Sequence, residues 1–231
     1  MNPCLIAPLA LSILWTSQST KTSPPLPALI SVSGSGAIDV DPNVALVSVG
    51  IHVEAKTAPE AQMKAIETGN NIVAALVKLG ISKQSMRTRS LTVRTVDAYG
   101  ESKEPAHYAA DNALTVRTTD LSKVGRIVDA SIDAGATEVE GITFGLISNI
   151  HANELALADA VRNAKAKALA IANALGGTLS DIYDVTEAGG GFVSDRVARL
   201  ESRRPSTSIL PGPVTVSASV TIRYRFLKRA R

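Results

Sequence analysis

His52 and Glu54 lie two residues apart in VALVSVGIHVEA (44–55), so a strand there puts an imidazole and a carboxylate on one face. That pair is the start of a divalent-metal site, which still needs a third ligand and groups to orient the ligands. Spacing supplies neither, because His107 and His151 lie far away along the chain. A solvent-facing pair is expected, and no metal ligand is nominated. The chain has no C-x-x-C, H-E-x-x-H, G-x-S-x-G or P-loop pattern. Its single cysteine, Cys4, precedes an apolar run instead of following one, which does not suit a lipoprotein anchor. Catalytic and cofactor-binding residues are left unassigned, and no cofactor is expected.

Two further segments could carry chemistry. Gly34-Ser35-Gly36 follows a strand-like run, as glycines that cradle a phosphate do. A cradle needs a helix N-terminus directly after the glycines. Here Ala37 to Val40 leads instead into the turn residues Asp41-Pro42-Asn43 and another strand. The glycines therefore read as places where a strand bends, bulges or admits another backbone. The second segment, SDRVARLESRR (194–204), spaces Arg196, Arg199 and Arg203 helically and ends on Arg204. These four arginines, with the basic C-terminus, form a candidate interaction surface for an acidic partner or a membrane surface. A solvated stretch is the plainer alternative.

These groups need elements to hold them. A chain of 231 residues, 45% apolar, has ample material for a core. Aromatic residues are only 3%, so Val, Ile, Leu and Ala must build it. That scarcity, with a net charge of only +3, makes nucleic acid an unexpected partner. The apolar run from Leu5 to Trp15 has the length of an export signal and is too short to span a bilayer. No Lys or Arg precedes Lys21, so a disordered extension is the alternative. The expected organisation is a signal peptide over 1–22, a Pro-rich linker over 23–28, one domain over 29–228 and a basic tail over 229–231.

Period-two alternation marks strands at 44–55 and at VTVSASVTIRYRF (214–226). Further strands are expected over 86–96, 108–118, 137–147 and 182–187. One helix opens at Thr57 with Glu60 as a capping-box partner, and Met63, Ile66, Val73, Leu76 and Leu79 follow at near-helical spacing. A second follows Asp120 and buries Leu121, Val124, Val128 and Ile132. The third, over 152–175, is long and alanine-rich, with an apolar stripe of Leu157, Val161, Ala164, Ala168, Ile171 and Leu175. Residues 189–213 read as a long loop that could serve as a lid. The fold class is α+β: mixed, largely antiparallel sheet or sheets packed with three helices.

Over most of its length the chain resembles the SIMPL-domain family of bacterial periplasmic immunogenic and oxidative-stress-defence proteins. The resemblance rests on ISVSGSGAIDVDPNVALVSVGI, which is similar to the family's opening hairpin, and on YAADNALTVRTTDLSKVGRIVDASIDAGATEVEGITFGL. AKAKALAIANALG, DIYDVTEAGG and the last strand follow in family order. The resemblance implies an exported envelope or periplasmic protein that forms homo-oligomers, and it brings no catalytic residues with it. The leading expectation is a non-enzymatic, self-assembling protein. The alternatives are a small-ligand binder or enzyme with a site under residues 189–213, and binding of an anionic polymer or membrane surface.

Overall fold

The computed structural model describes residues 28–96, 107–189, 191–193, 196–197 and 209–229. The expected leader, most of the linker, and Arg199, Arg203 and Arg204 lie outside these residues. The described strands form two sheets, and every pairing within them is antiparallel. With three α-helices the architecture is α+β.

The first sheet joins the two ends of the domain. Strand β1 (Leu29–Val40) pairs along its whole length with β9 (Val214–Lys228), from Leu29 opposite Arg225 to Val40 opposite Val214. On the far side of β9 lie β6 (Gly177–Glu187) and, continuing along it, β7 (Gly191–Val193). The alternation in β9 does what its period requires: Val214, Val216, Ala218, Val220, Ile222 and Tyr224 are buried, while the residues between them line the other face.

Helix α3 (Ile150–Ala174) lies on that apolar face, and Ala156, Ala160, Ala164, Ala168 and Ala172 are its buried stripe. Four-residue steps of the smallest side chain let the helix axis come close to the strands. The larger residues of the expected stripe do not lead it: Val161, Ile171 and Leu175 are exposed, and Leu157 is partly buried. The reason lies opposite the helix, where Gly34 and Gly36 leave room for helix backbone and Cβ atoms but for nothing longer. Of the three readings left open for these glycines, a bend, a bulge or the close approach of another backbone, the structure shows the last.

The second sheet has the order β3–β4–β2–β5–β8. Its members are β2 (Val44–Ala55), β3 (Met86–Val96), β4 (His107–Thr118), β5 (Glu138–Gly145) and β8 (Arg196–Val197). One face carries α1 (Ala58–Lys78) and α2 (Val124–Asp133) over a core that includes Val47, Val49, Ile51, Ile72, Leu76, Val116, Ile127, Ile142 and Phe144. Thr57 caps α1, its hydroxyl accepting from the Glu60 N–H at 3.4 Å, and Gly80 leaves the helix with φ +83°. Met63, 65% exposed, and Ile66 miss the core; Ala61, Ala65, Gly69, Ile72 and Leu76 are the buried face of α1. In α2, Ile132 is exposed and Ile127 takes the inward place.

Two connections differ from expectation. β1 and β2 do not form a hairpin, because β1 pairs with β9 and β2 sits between β4 and β5. Asn43 fixes the departure into the second sheet: its N–H donates to the Gly145 carbonyl at 3.0 Å, and its side-chain oxygen accepts from the Ile147 N–H at 2.7 Å. Nor do residues 189–213 make one uninterrupted loop. β7 pairs with β9 and β8 with β5, so the chain enters first one sheet and then the other.

Candidate functional site on the uncovered face of the second sheet

Each strand of the second sheet alternates between the helix-covered face and a second face. On β2, Val47, Val49 and Ile51 point under the helices, which leaves Leu46, Ser48, Gly50, His52 and Glu54 for the other side. Pairing then selects their neighbours. His52 stands opposite Asp111 and Leu46 opposite Arg117. Across the next pair, Arg87 stands opposite Thr115 and Ser90 opposite Ala113.

At one end these residues form a hydrogen-bonded chain. His52 Nδ1 meets Asp111 Oδ1 at 2.6 Å, and the other Asp111 oxygen accepts from Arg94 Nε at 3.3 Å. Glu54 sits between two imidazoles, with Oε1 3.4 Å from His52 Nε2 and Oε2 3.1 Å from His107 Nε2. Asp111, more than any other group, raises the His52 pKa above its ordinary value; burial opposes it and Glu54 assists. The same hydrogen bond, helped by Arg94, lowers the Asp111 carboxyl pKa. Thr137 seals the neighbouring backbone, accepting from the His52 N–H at 2.8 Å and donating to the Gly50 carbonyl at 3.2 Å.

The middle row of the face is built from small residues, and the Glu138 side chain lies over Gly50. Gly50 and Ala113 are opposite each other, and both are buried. Two bulges flank them. The β3–β4 register skips Arg89, and the β2–β5 register skips Glu140. These two extra residues ion-pair with each other across the sheet, with the Glu140 side chain only 20% exposed.

The other end is basic. Arg87 and Arg117 are exposed, and neither makes an ion pair among the described residues. The register row that contains Arg117 continues through Leu46 and Thr143 to Arg196 on β8. Arg196 is thus the one member of the predicted arginine group that falls within the described backbone, and it sits at the edge of this sheet.

His52 and Glu54 do share an exposed strand face, as the spacing predicts. No group of three or more His, Cys, Asp and Glu arranged to hold a metal occurs among the described residues. Sequence reading did not anticipate Asp111, Arg94, His107 or the Arg89–Glu140 pair. Spacing cannot find them, because partners 59 and 51 positions apart meet only through strand register.

The profile of one protein family, SIMPL, described as a protein of unknown function (DUF541), matches residues 30–224. The chain belongs to the SIMPL family. Among its relatives, a 26 kDa periplasmic immunogenic protein of Brucella melitensis is 30% identical over 151 residues, 60% of each chain. The protein YggE of Escherichia coli K12, which is uncharacterized, is 25% identical over 136 residues, 58% of this chain and 55% of its own. The match thus spans less than two thirds of either relative. The β1 and β9 termini of the first sheet fall at the limits of the SIMPL match, so the profile takes in both sheets.

Proposed function

We propose that this SIMPL protein is exported to the periplasm and acts there without catalysis, as a homo-oligomer. The observation that supports assembly is the inverted packing of α3. The helix buries only alanines against its sheet and leaves Leu155, Val161, Leu169, Ile171 and Leu175 exposed. Beside it, edge strand β6 exposes Ile182 and Val185, in the register rows of the buried Tyr224 and Ile222. Contiguous exposed apolar residues mark an association surface in a folded chain. The name of the Brucella relative supports the compartment.

The non-catalytic reading draws on the hydrogen-bonded chain. His52, Glu54, Asp111, Arg94 and His107 spend their polar atoms on one another, which suits a fastener better than a base that awaits a substrate. Protection under oxidative stress, implied by the family resemblance, is assigned to the assembled form.

Size-exclusion chromatography with light scattering tests assembly; a mass well above 24.1 kDa at micromolar concentration is expected. A strictly monomeric chain overturns that part. Fractionation of expressing cells, with N-terminal sequencing of the recovered chain, tests export.

A further inference from the structure

Among the described residues, the face of the second sheet opposite α1 and α2 carries carboxylates at one end and arginines without an ion pair at the other, at matched distances from its centre. Take the Gly50–Ala113 row as the middle. Glu54 lies four residues from Gly50 along β2 in one direction. Arg117 lies four residues from Ala113 along β4, towards the opposite end of the face. Each offset is about 13 Å at the ordinary strand rise. Asp111 stands with Glu54, and Arg87 stands with Arg117. Arg94 pairs with Asp111 at the carboxylate end. Lys56, just beyond β2, is exposed, and Glu60 of α1 pairs with Lys64. At the centre Arg89 and Glu140 neutralise each other, and Glu138 lies over Gly50.

A pattern with opposite ends at equal distances from a central row is complementary to itself after a half-turn about an axis through that row. We propose that two copies of this chain dock face to face through the second sheet, with Arg87 and Arg117 of one copy against Glu54 and Asp111 of its partner. The contact is isologous, so each pairing occurs twice. It rests on the self-assembly reading above and adds to it, because it uses the sheet face opposite α1 and α2 and not the apolar surface of α3 and β6. Two separate surfaces per subunit carry assembly beyond a dimer. The two contacts also differ in physics: charge pairing weakens as salt shortens the screening length, whereas apolar burial does not.

The test is a charge swap on the full chain, read by sedimentation or light scattering at low and high salt, with circular dichroism as the folding control. Arg117→Glu alone sets two like charges against Glu54, and Glu54→Lys alone sets two against Arg117. Each is expected to raise the dissociation constant of the dimer about tenfold or more at low salt. Mixed in equal amounts, the two variants restore both pairings and form a heterodimer of wild-type affinity; misfolded chains could not rescue each other in this way. Wild-type affinity in both single variants overturns the proposal, and so does a mixture that stays as weak as its components. An assembly indifferent to salt and to both substitutions removes this interface while leaving assembly through α3 intact. A wild-type monomer at tens of micromolar removes both readings together.

Discussion

Gly34 of β1 faces Ala164 of α3 so closely that a methyl group on the glycine would stand 2.8 Å from the Ala164 Cβ and 2.6 Å from its backbone nitrogen. It would also overlap the Ala160 carbonyl oxygen. Gly36 meets the preceding turn in the same way, 2.6 Å from the Asp159 Cβ and 2.7 Å from the Ala160 nitrogen. The obstructing atoms are largely backbone, which cannot swing aside as a flexible side chain can. Gly34→Ala is therefore expected to destabilise the fold by about 3 kcal/mol, at the upper end of ordinary overpacking. Ser35→Ala, between the two glycines on the exposed face, is expected to change stability by less than about 0.5 kcal/mol. Urea denaturation of the two variants checks the contrast, and equal effects would contradict it.

The same packing predicts an inversion along α3, where enlarging alanine harms the fold and trimming leucine does not. Ala164→Leu must push the helix off β1 and is expected to cost about 3 kcal/mol. Leu169→Ala removes an exposed side chain and is expected to leave stability within about 0.5 kcal/mol of wild type. If α3 and β6 make the apolar contact, Leu169→Ala combined with Val185→Ala weakens assembly while the thermal transition of the dissociated chain stays in place. Concentration-dependent light scattering beside thermal melts separates the two effects.

This inversion also shows what the sequence could and could not disclose. The alternation of β9 was legible because a half-buried strand repeats every two residues whatever its partner. The glycines of β1 were legible as sites of close approach because the helix needed for a phosphate cradle was missing. The buried face of α3 was misread because hydropathy ranks leucine and isoleucine above alanine, whereas the glycines opposite decide which face fits. The β1–β2 turn looked like a hairpin because turn chemistry is local. The partner that β1 takes lies at the other end of the domain, and its choice is not local. The His52–Asp111 contact was hidden for the same reason.

The bulge pair offers a test of coupling across the sheet. Arg89 and Glu140 are each the extra residue of a bulge, and they pair across the sheet. Glu140→Gln and Arg89→Met are each expected to cost about 1 kcal/mol, and the double variant less than the sum, with a coupling of about 0.5 to 1 kcal/mol. Additive losses in the cycle would show that the pair contributes nothing jointly.

The pH dependence of the His52–Asp111 pair follows from two shifts of opposite direction. Asp111 raises the His52 pKa above 6.5, so the imidazolium binds its proton more tightly in the folded chain than in the unfolded one. Its contribution is fully present below about pH 6.5 and fades as pH climbs through the raised folded value. The Asp111 pKa lies below 3.8 in the folded chain, so its contribution is present above that pH and is lost as pH falls through the depressed folded value. The pair is therefore strongest on the acid side of neutrality, between the two ordinary values. Both side chains are more than a third exposed, and solvent screening holds the effect to about 0.5 kcal/mol. Asp111→Asn is expected to return the His52 titration, followed by imidazole proton resonances, towards 6.5 and to flatten the stability profile between weakly acidic and weakly basic pH. Glu54→Gln, which removes the lesser of the two carboxylate effects, should move the titration less. A His52 titration unmoved by Asp111→Asn would show that Asp111 does not set the charge of the imidazole.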